Sequence, residues 1–258
     1  MTGVQTCALP ICQATAAYAV PEELVQSARR FGVQGIAFTY SEPAVWLEYV
    51  LDVSRLAHAA GLYTVYISNS FVTDEALAAM APHVDVLCSD IKSLSDAFYR
   101  EICRTATVQA VLASIEAAHR LGIHVETRTN VIPGRNDDPD MLRAIAVWIR
   151  DHLGSDSPWH LTRFFPAYRL SHLPATPEGI LWRAHDAART AGLRNVYVYD
   201  EKGCDCAREN LPVARYLAQD PQALHAVKKC AASCCGDEGV LLKKYEQQQL
   251  CPSDAVRP

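Results

Sequence analysis

No run of apolar residues in this 258-residue sequence approaches the roughly 20 that span a bilayer, which argues against a membrane-spanning chain. Positive charge is not in excess either: 24 basic residues stand against 29 acidic ones, a net charge of −5. The chain therefore has no bulk electrostatic drive toward nucleic acid or anionic membrane, and only a local patch could supply one. No glycine-rich phosphate loop and no GxSxG elbow occur, so a phosphate cradle and a serine hydrolase lack support. The nine histidines form no HxH, no HExxH and no cluster with cysteine. Residues 1–11 have neither a basic n-region nor an apolar h-region. Without a secretory signal the cysteines have no oxidising compartment, which favours a cytoplasmic location and metal or redox use over disulfides.

What is present is globular: 50% of the residues are hydrophobic and 21% charged. The length fits one large domain, or one domain with a small appendage. The opening MTGVQTCALPI resembles the in-frame translation of a sequencing adapter and has no turn, cap or amphipathic logic. Residues 1–11, Cys7 among them, are therefore set aside from fold reasoning, with the expectation that the gene is truncated at its 5′ end. The expected units are a domain over 12–199 and a cysteine-rich tail over 200–258.

From Pro21 onward strands and helices alternate. Helices are expected from Pro21 to about Gly32, at Pro43–Ala60, from Thr73 to before Pro82, and at Val108–Leu121, Pro139–Leu153 and Thr176–Ala191. Gly61, Gly122 and Gly192 fall where helix C-caps belong. Strands are expected at Gly35–Thr39, Leu62–Ser68, Val84–Ser89, Ile123–Ile132, Trp159–Phe164 and Arg194–Tyr199. This is an α/β pattern with a parallel sheet. Six strands are too few for a closed eight-unit barrel, and fit an open or partial barrel or a doubly wound sheet. In either, chemistry sits at the carboxyl ends of the strands.

Those ends are polar while the strand bodies read as apolar. They carry Thr39-Tyr40-Ser41-Glu42-Pro43, Ser68-Asn69-Ser70, Ser89-Asp90-Ile91-Lys92, a stretch from Thr129 to Asp138, and Arg163-Phe164-Phe165-Pro166-Ala167-Tyr168. Such a rim could hold a zwitterion with a ribose. Glu42 or Asp90 would accept from an amine, Lys92 would meet a carboxylate and Asn69 would meet hydroxyls. A solvated rim with a local Asp90–Lys92 ion pair accounts for the same residues, and spacing alone does not separate the two.

At these residues the chain resembles the radical S-adenosylmethionine (SAM) superfamily. Within it the pyruvate formate-lyase activating enzyme group is the nearer match, in particular the radical SAM enzyme of the AmmeMemoRadiSam system. The phrases IAFTYSEPAVWLEY, VYISNSFVTDEAL, SDIKSLSDAFYREI, VETRTNVIPGRNDD, WHLTRFFPAYRL and LPATPEGILWRAHDAARTAGLRNVYV run in the family's order. The resemblance implies a partial (β/α)6 barrel and an enzyme that cleaves SAM reductively. It also implies a [4Fe-4S] cluster held by a CxxxCxxC loop, and an electron donor such as flavodoxin or ferredoxin. A protein substrate, such as a glycyl-radical enzyme, is a further implied partner. The amine-binding motif falls on Thr39, Tyr40, Ser41 and Glu42, with Tyr40-Ser41 in place of the usual Gly-Gly. Ribose and carboxylate contacts carry over to Asn69, Asp90 and Lys92. The Ile132–Asp137 stretch, with Asn136, resembles the adenine-side loop, and Arg163 and Tyr168 would line the mouth.

The sequence departs from the family where the cluster should be. It contains no CxxxCxxC, and the barrel strand that should precede that loop is absent. Cys12-Gln13 resembles the end of the loop, which makes Cys12 the expected surviving ligand. One thiolate cannot fix a cluster that needs three. The full-length protein is thus expected to cleave SAM, and the chain as written is not.

The tail holds six cysteines after position 200. Cys204 and Cys206, with Cys230, Cys234 and Cys235 of CAASCCGDEG, form a thiolate set suited to a second Fe–S cluster or a zinc ion. CxC with CxxxCC is not a zinc-ribbon spacing, which favours Fe–S. Reduced thiols or a redox disulfide are the plainer alternative. Cys88 and Cys103 read as buried structural thiols. Two rival functions follow: a metal or redox scaffold seated in the tail, without SAM chemistry, and an aldolase-like enzyme. The second uses Lys92 as a Schiff base and requires Lys92 in an apolar pocket.

Overall fold

The computed structural model describes residues 19–39, 42–105, 107–200 and 203–204. Seven strands form one sheet in the order β1-β2-β3-β4-β5-β6-β7. They are β1 Gly35–Phe38, β2 Tyr63–Ser68, β3 Val86–Asp90, β4 His124–Val131, β5 Trp159–Arg163, β6 Val196–Asp200 and β7 Gly203–Cys204. The first six are parallel, each beside its successor, and only β7 is antiparallel to its neighbour. A doubly wound sheet must reverse its strand order at a switch point. Here the order never reverses, so the helices stack on one side and the sheet is an open, partial barrel.

The helices are α1 Pro21–Arg30, α2 Leu47–Ala59, α3 Asp74–Met80, α4 Asp96–Phe98, α5 Gln109–Arg120, α6 Pro139–Leu153 and α7 Glu178–Thr190. Their starts are written in the sequence. Pro stands in the first turn of α1 and α6, where its missing N–H costs nothing. Thr73 caps α3 by accepting from Ala76 N, and Asp138 caps α6 by accepting from Met141 N at 3.0 Å. Gly61 and Gly122 follow α2 and α5 at φ 74° and 84°, a left-handed turn that suits glycine. Among the described residues no helix is long and apolar enough to cross a membrane.

Three local features differ from the sequence expectation. Pro43–Trp46 is a 3-10 turn rather than the first turn of α2. After α4 the chain forms a π-turn, Tyr99–Cys103, ended by Arg104 at φ 60°. Strand β7 is two residues long, too short to leave a periodic signal. Cys204 lies in it, its backbone paired with Tyr199. Cys88 and Cys103 are buried and form no disulfide with each other.

Side chains alternate between the two faces of each strand. The helix-facing row holds Phe38, Tyr66, Leu87, Val125, Val131, Trp159, Leu161, Val196 and Val198, all in one hydrophobic core. The opposite row carries Cys88, Asp90, Glu126, Arg128 and His160, because Cys88 pairs with Glu126, Asp90 with Arg128, and Arg128 with His160. The strand bodies are thus not uniformly apolar, since β4 carries two charges inward. Gly35 opens this row in β1, where a Cβ would stand 2.6 Å from the Tyr63 ring. Gly35→Ala is expected to lower stability by about 1–3 kcal/mol through overpacking, as read from a urea unfolding midpoint.

Candidate functional site: a charge-alternating rim at the strand carboxyl ends

The parallel strands bring the ends of β1 to β4 to one edge, and four ionised groups meet there. Glu42 follows β1 and accepts from Ser68 Oγ at 2.5 Å, from Asn69 N at 2.8 Å and from Asn69 Nδ2 at 2.7 Å. Lys92 Nζ donates to Asn69 Oδ1 and, at 2.7 Å, to Asp90 Oδ2. Arg128 Nε donates to Asp90 Oδ1 at 2.8 Å. The result is one continuous chain, Glu42–Asn69–Lys92–Asp90–Arg128, in which negative and positive groups alternate and sum to zero. Burial pushes the Asp90 pKa up, but Arg128 and Lys92 beside it outweigh that and hold it well below the usual carboxylate range.

The backbone beneath this rim is fixed by polar contacts. Ser70 is buried at φ 60°, a conformation non-glycine residues rarely adopt. Its N donates to Ser68 Oγ at 2.9 Å, and its Oγ shares a hydrogen bond of 2.5 Å with Ser89 Oγ. The amide of Lys92 donates to Tyr99 Oη at 3.2 Å. The Tyr66 phenol is buried and has no hydrogen-bond partner among the described residues. Burial, and then the charge of Glu42, raise its pKa.

Of the residues singled out from the sequence, Glu42, Asn69, Asp90 and Lys92 form this chain. Thr39 lies half-buried just beyond β1. Asn136 stands differently from expectation: it is 2% exposed and occupied by the backbone. Its Oδ1 accepts from Ile132 N at 2.6 Å, and its Nδ2 donates to Lys92 O at 2.6 Å and to Asn130 O at 3.0 Å. It is a strut that sets the backbone at Lys92. Asn136→Ala is expected to cost about 1–3 kcal/mol for each carbonyl or amide left buried without a partner, measured by thermal unfolding. Arg163 lies with its guanidinium 5.3 Å above the Phe165 ring. Tyr40, Ser41, Cys12, Cys206, Cys230, Cys234 and Cys235 lie outside the described residues.

Arg128, Ser68, Glu126 and His160 were not singled out. Arg128 and Glu126 could have been, as charges inside a strand rich in Val and Thr. Below Arg128 on the same face, His160 Nε2 meets Glu126 Oε2 at 2.9 Å, and His124 Nε2 stands 3.6 Å from Glu126 Oε1. Glu126 is 0% exposed. Burial opposes its ionisation, but the imidazoles of His124 and His160 beside it outweigh that and bring its pKa to about 2.

Two negative and two positive groups on one rim offer partners to both charges of a ligand that carries an ammonium and a carboxylate on one carbon. Ionised carboxylates offer about four lone-pair sites, and Glu42 uses three of them on the bonds above. The described residues do not fit a metal cluster in the same way. Among them no group of three His, Cys, Asp or Glu is placed to hold a metal ion. Nor does Lys92 stand in an apolar pocket, as a Schiff-base lysine would require, since Asp90 and Asn69 hold its Nζ.

Comparison with known proteins agrees with the fold. The chain is 39% identical over 183 residues to an uncharacterised protein of Methanocaldococcus jannaschii, covering 71% of this chain and 54% of that one. It is 30% identical over 135 residues to the isethionate sulfite-lyase activating enzyme of Nitratidesulfovibrio vulgaris, covering 52% and 43%. The chain thus spans about half the length of these relatives. A solved domain of pyruvate-formate lyase-activating enzyme from Bacteroides vulgatus shares the fold, with a TM-score of 0.57 at 15% identity over 64% of this chain and 98% of that one. The model of the radical SAM superfamily matches residues 13–145, just over half of the chain, and the protein belongs to that superfamily.

Proposed function

We propose that the protein is a radical SAM enzyme of the activating type, related to the AmmeMemoRadiSam system, and that SAM is held on the rim of β1 to β4. One observation carries the reading: the charge-alternating chain Glu42–Asn69–Lys92–Asp90–Arg128. Lys92 faces the carboxylate of the ligand with its ammonium. Glu42 accepts from the ligand's ammonium on its remaining lone-pair site. Asn69 offers its amide to the ribose hydroxyls. Asp90 acts through others, since its two oxygens orient Lys92 and Arg128. A [4Fe-4S] cluster, held by three thiolates of which Cys12 would be one, would supply the electron for reductive cleavage of a carbon–sulfur bond of SAM.

The 258 residues contain no CxxxCxxC, and Cys12 alone does not provide the three thiolates such a cluster takes. The tail cysteines Cys204, Cys206, Cys230, Cys234 and Cys235 are proposed to hold a second Fe–S cluster or a zinc ion. A flavodoxin- or ferredoxin-like electron donor and a protein or small-molecule substrate complete the proposal. The test is 5′-deoxyadenosine formation after anaerobic reconstitution with iron and sulfide and reduction by dithionite. No deoxyadenosine is expected from this chain, and turnover is expected once a CxxxCxxC ending at Cys12 precedes it. Deoxyadenosine from the chain alone contradicts the ligand count. None from the restored chain removes the SAM reading.

A further inference from the structure

Tyr66 is buried beside the rim without taking part in it. It stands in β2, two residues before Ser68, and pairs in register with Phe38 and Leu87. Its ring is fully buried in the apolar core, against which Trp46 also packs. Among the described residues its Oη has no hydrogen-bond partner. A buried hydroxyl without a partner is costly to hold, and phenylalanine would fill the same space without that cost. Packing alone therefore does not account for the hydroxyl.

The group that bears on it is Glu42, whose charge, after burial, raises the Tyr66 pKa. Ser68 shares a face of β2 with Tyr66, and its Oγ donates to Glu42 Oε1 at 2.5 Å. The carboxylate thus lies over the row that carries the phenol. Glu42 has three donors in the free chain: Ser68 Oγ, Asn69 N and Asn69 Nδ2. Two of them are fixed, since Asn69 N is backbone and Ser68 Oγ also accepts from Ser70 N at 2.9 Å. The third is a side-chain amide held at both ends, Nδ2 by Glu42 and Oδ1 by Lys92. Turning that amide to the ribose hydroxyls of a ligand takes Nδ2 from Glu42 and opens a lone-pair site on the carboxylate.

We propose that Tyr66 is a positioning residue for Glu42: when SAM draws the Asn69 amide to its ribose, Tyr66 Oη donates to the Glu42 carboxylate in its place. The exchange keeps the carboxylate aimed at the ammonium of the ligand. The phenol is without a partner in the free chain and satisfied in the complex. This inference rests on the SAM reading and adds to it a residue that touches no ligand.

The test is Tyr66→Phe in the full chain, which removes the hydroxyl and keeps the ring. Urea unfolding of the free protein is expected to show a midpoint equal to or above that of the wild type. A lower midpoint means that the hydroxyl is already bonded in the free chain and overturns the proposal. Isothermal titration of SAM is expected to show affinity weakened about tenfold, the size of one hydrogen bond to a charged group. Infrared difference spectra, SAM-bound minus free, supply a signature that a packing role would not move. The C–O stretching band of Tyr66, identified by its loss in Tyr66→Phe, is expected to shift as the phenol becomes a donor to a carboxylate. A band that stays in place overturns the exchange. Wild type and Lys92→Ala titrated alongside separate two failures. If the wild type binds SAM, Lys92→Ala weakens binding and Tyr66→Phe does not, the role of Tyr66 is overturned and the rim reading stands. If the wild type binds no SAM, the rim reading falls and the role of Tyr66 falls with it.

Discussion

His160→Leu is expected to destabilise the fold by about 3–5 kcal/mol, the cost of breaking a buried ion pair by removing one partner. The substitution takes from Glu126, fully buried, the imidazole that meets its Oε2 at 2.9 Å, while His124 stands farther off at 3.6 Å. The asymmetry of the cluster sharpens the expectation. Glu126→Leu removes the buried carboxylate itself and leaves no carboxylate to desolvate, so its cost is smaller, about 1–3 kcal/mol. The double variant Glu126→Leu/His160→Leu replaces the pair with apolar groups of similar volume. It is expected to be more stable than the sum of the single losses predicts. Urea unfolding midpoints of the four proteins measure this coupling, and strict additivity would show that the cluster acts as separate groups.

The same cluster sets an acid limit. The Glu126 pKa is lowered on folding from 4.5 to about 2. The unfolded chain therefore binds more protons than the folded one between those values. Its contribution is present above the unfolded value and is lost as pH falls toward about 2. The lowered pKa of Asp90 works in the same direction. Wild-type stability is expected to fall between about pH 4.5 and 2, and Glu126→Gln flattens part of that slope.

Asp90→Ala is the second large effect. It removes the one carboxylate that both Lys92 Nζ and Arg128 Nε donate to, at 2.7 and 2.8 Å. Two cations are then left side by side, with like-charge repulsion in place of attraction. The Lys92 side chain is only 10% exposed and cannot simply swing into water. A loss of about 3–5 kcal/mol in stability is expected. Because Asp90 positions Lys92, the substitution also reorients the ammonium proposed to face the carboxylate of the ligand. Lys92→Ala separates the two consequences, since it removes one cation and leaves the Asp90–Arg128 pair intact. It is expected to cost less stability and a comparable share of ligand affinity.

Much of this fold was legible. Glycines at helix ends, prolines at helix starts and β-branched runs located all six parallel strands. The sheet's single direction was not decided by those signals, because alternating strands and helices serve a barrel and a doubly wound sheet alike. Of the rim, Glu42, Asn69, Asp90 and Lys92 were found by looking only at strand ends. That filter is also why Arg128 and Glu126 were missed: they lie within β4, and their inward direction follows from the register of Asp90 with Arg128. Asn136 was carried over from the resemblance of its loop, and its amide also closes three backbone hydrogen bonds that no sequence spacing announces. Tyr168 in the left-handed region is equally silent in sequence, since nothing but tertiary anchoring holds an aromatic residue there.

The central claim is that the rim of β1 to β4 binds SAM through its charge-alternating chain. Isothermal titration of SAM into the wild-type chain and into Lys92→Ala tests it most directly. Saturable binding to the wild type is predicted, weakened about tenfold or more in the variant while its unfolding remains cooperative. Equal affinity in the two proteins, or binding to neither, would contradict it.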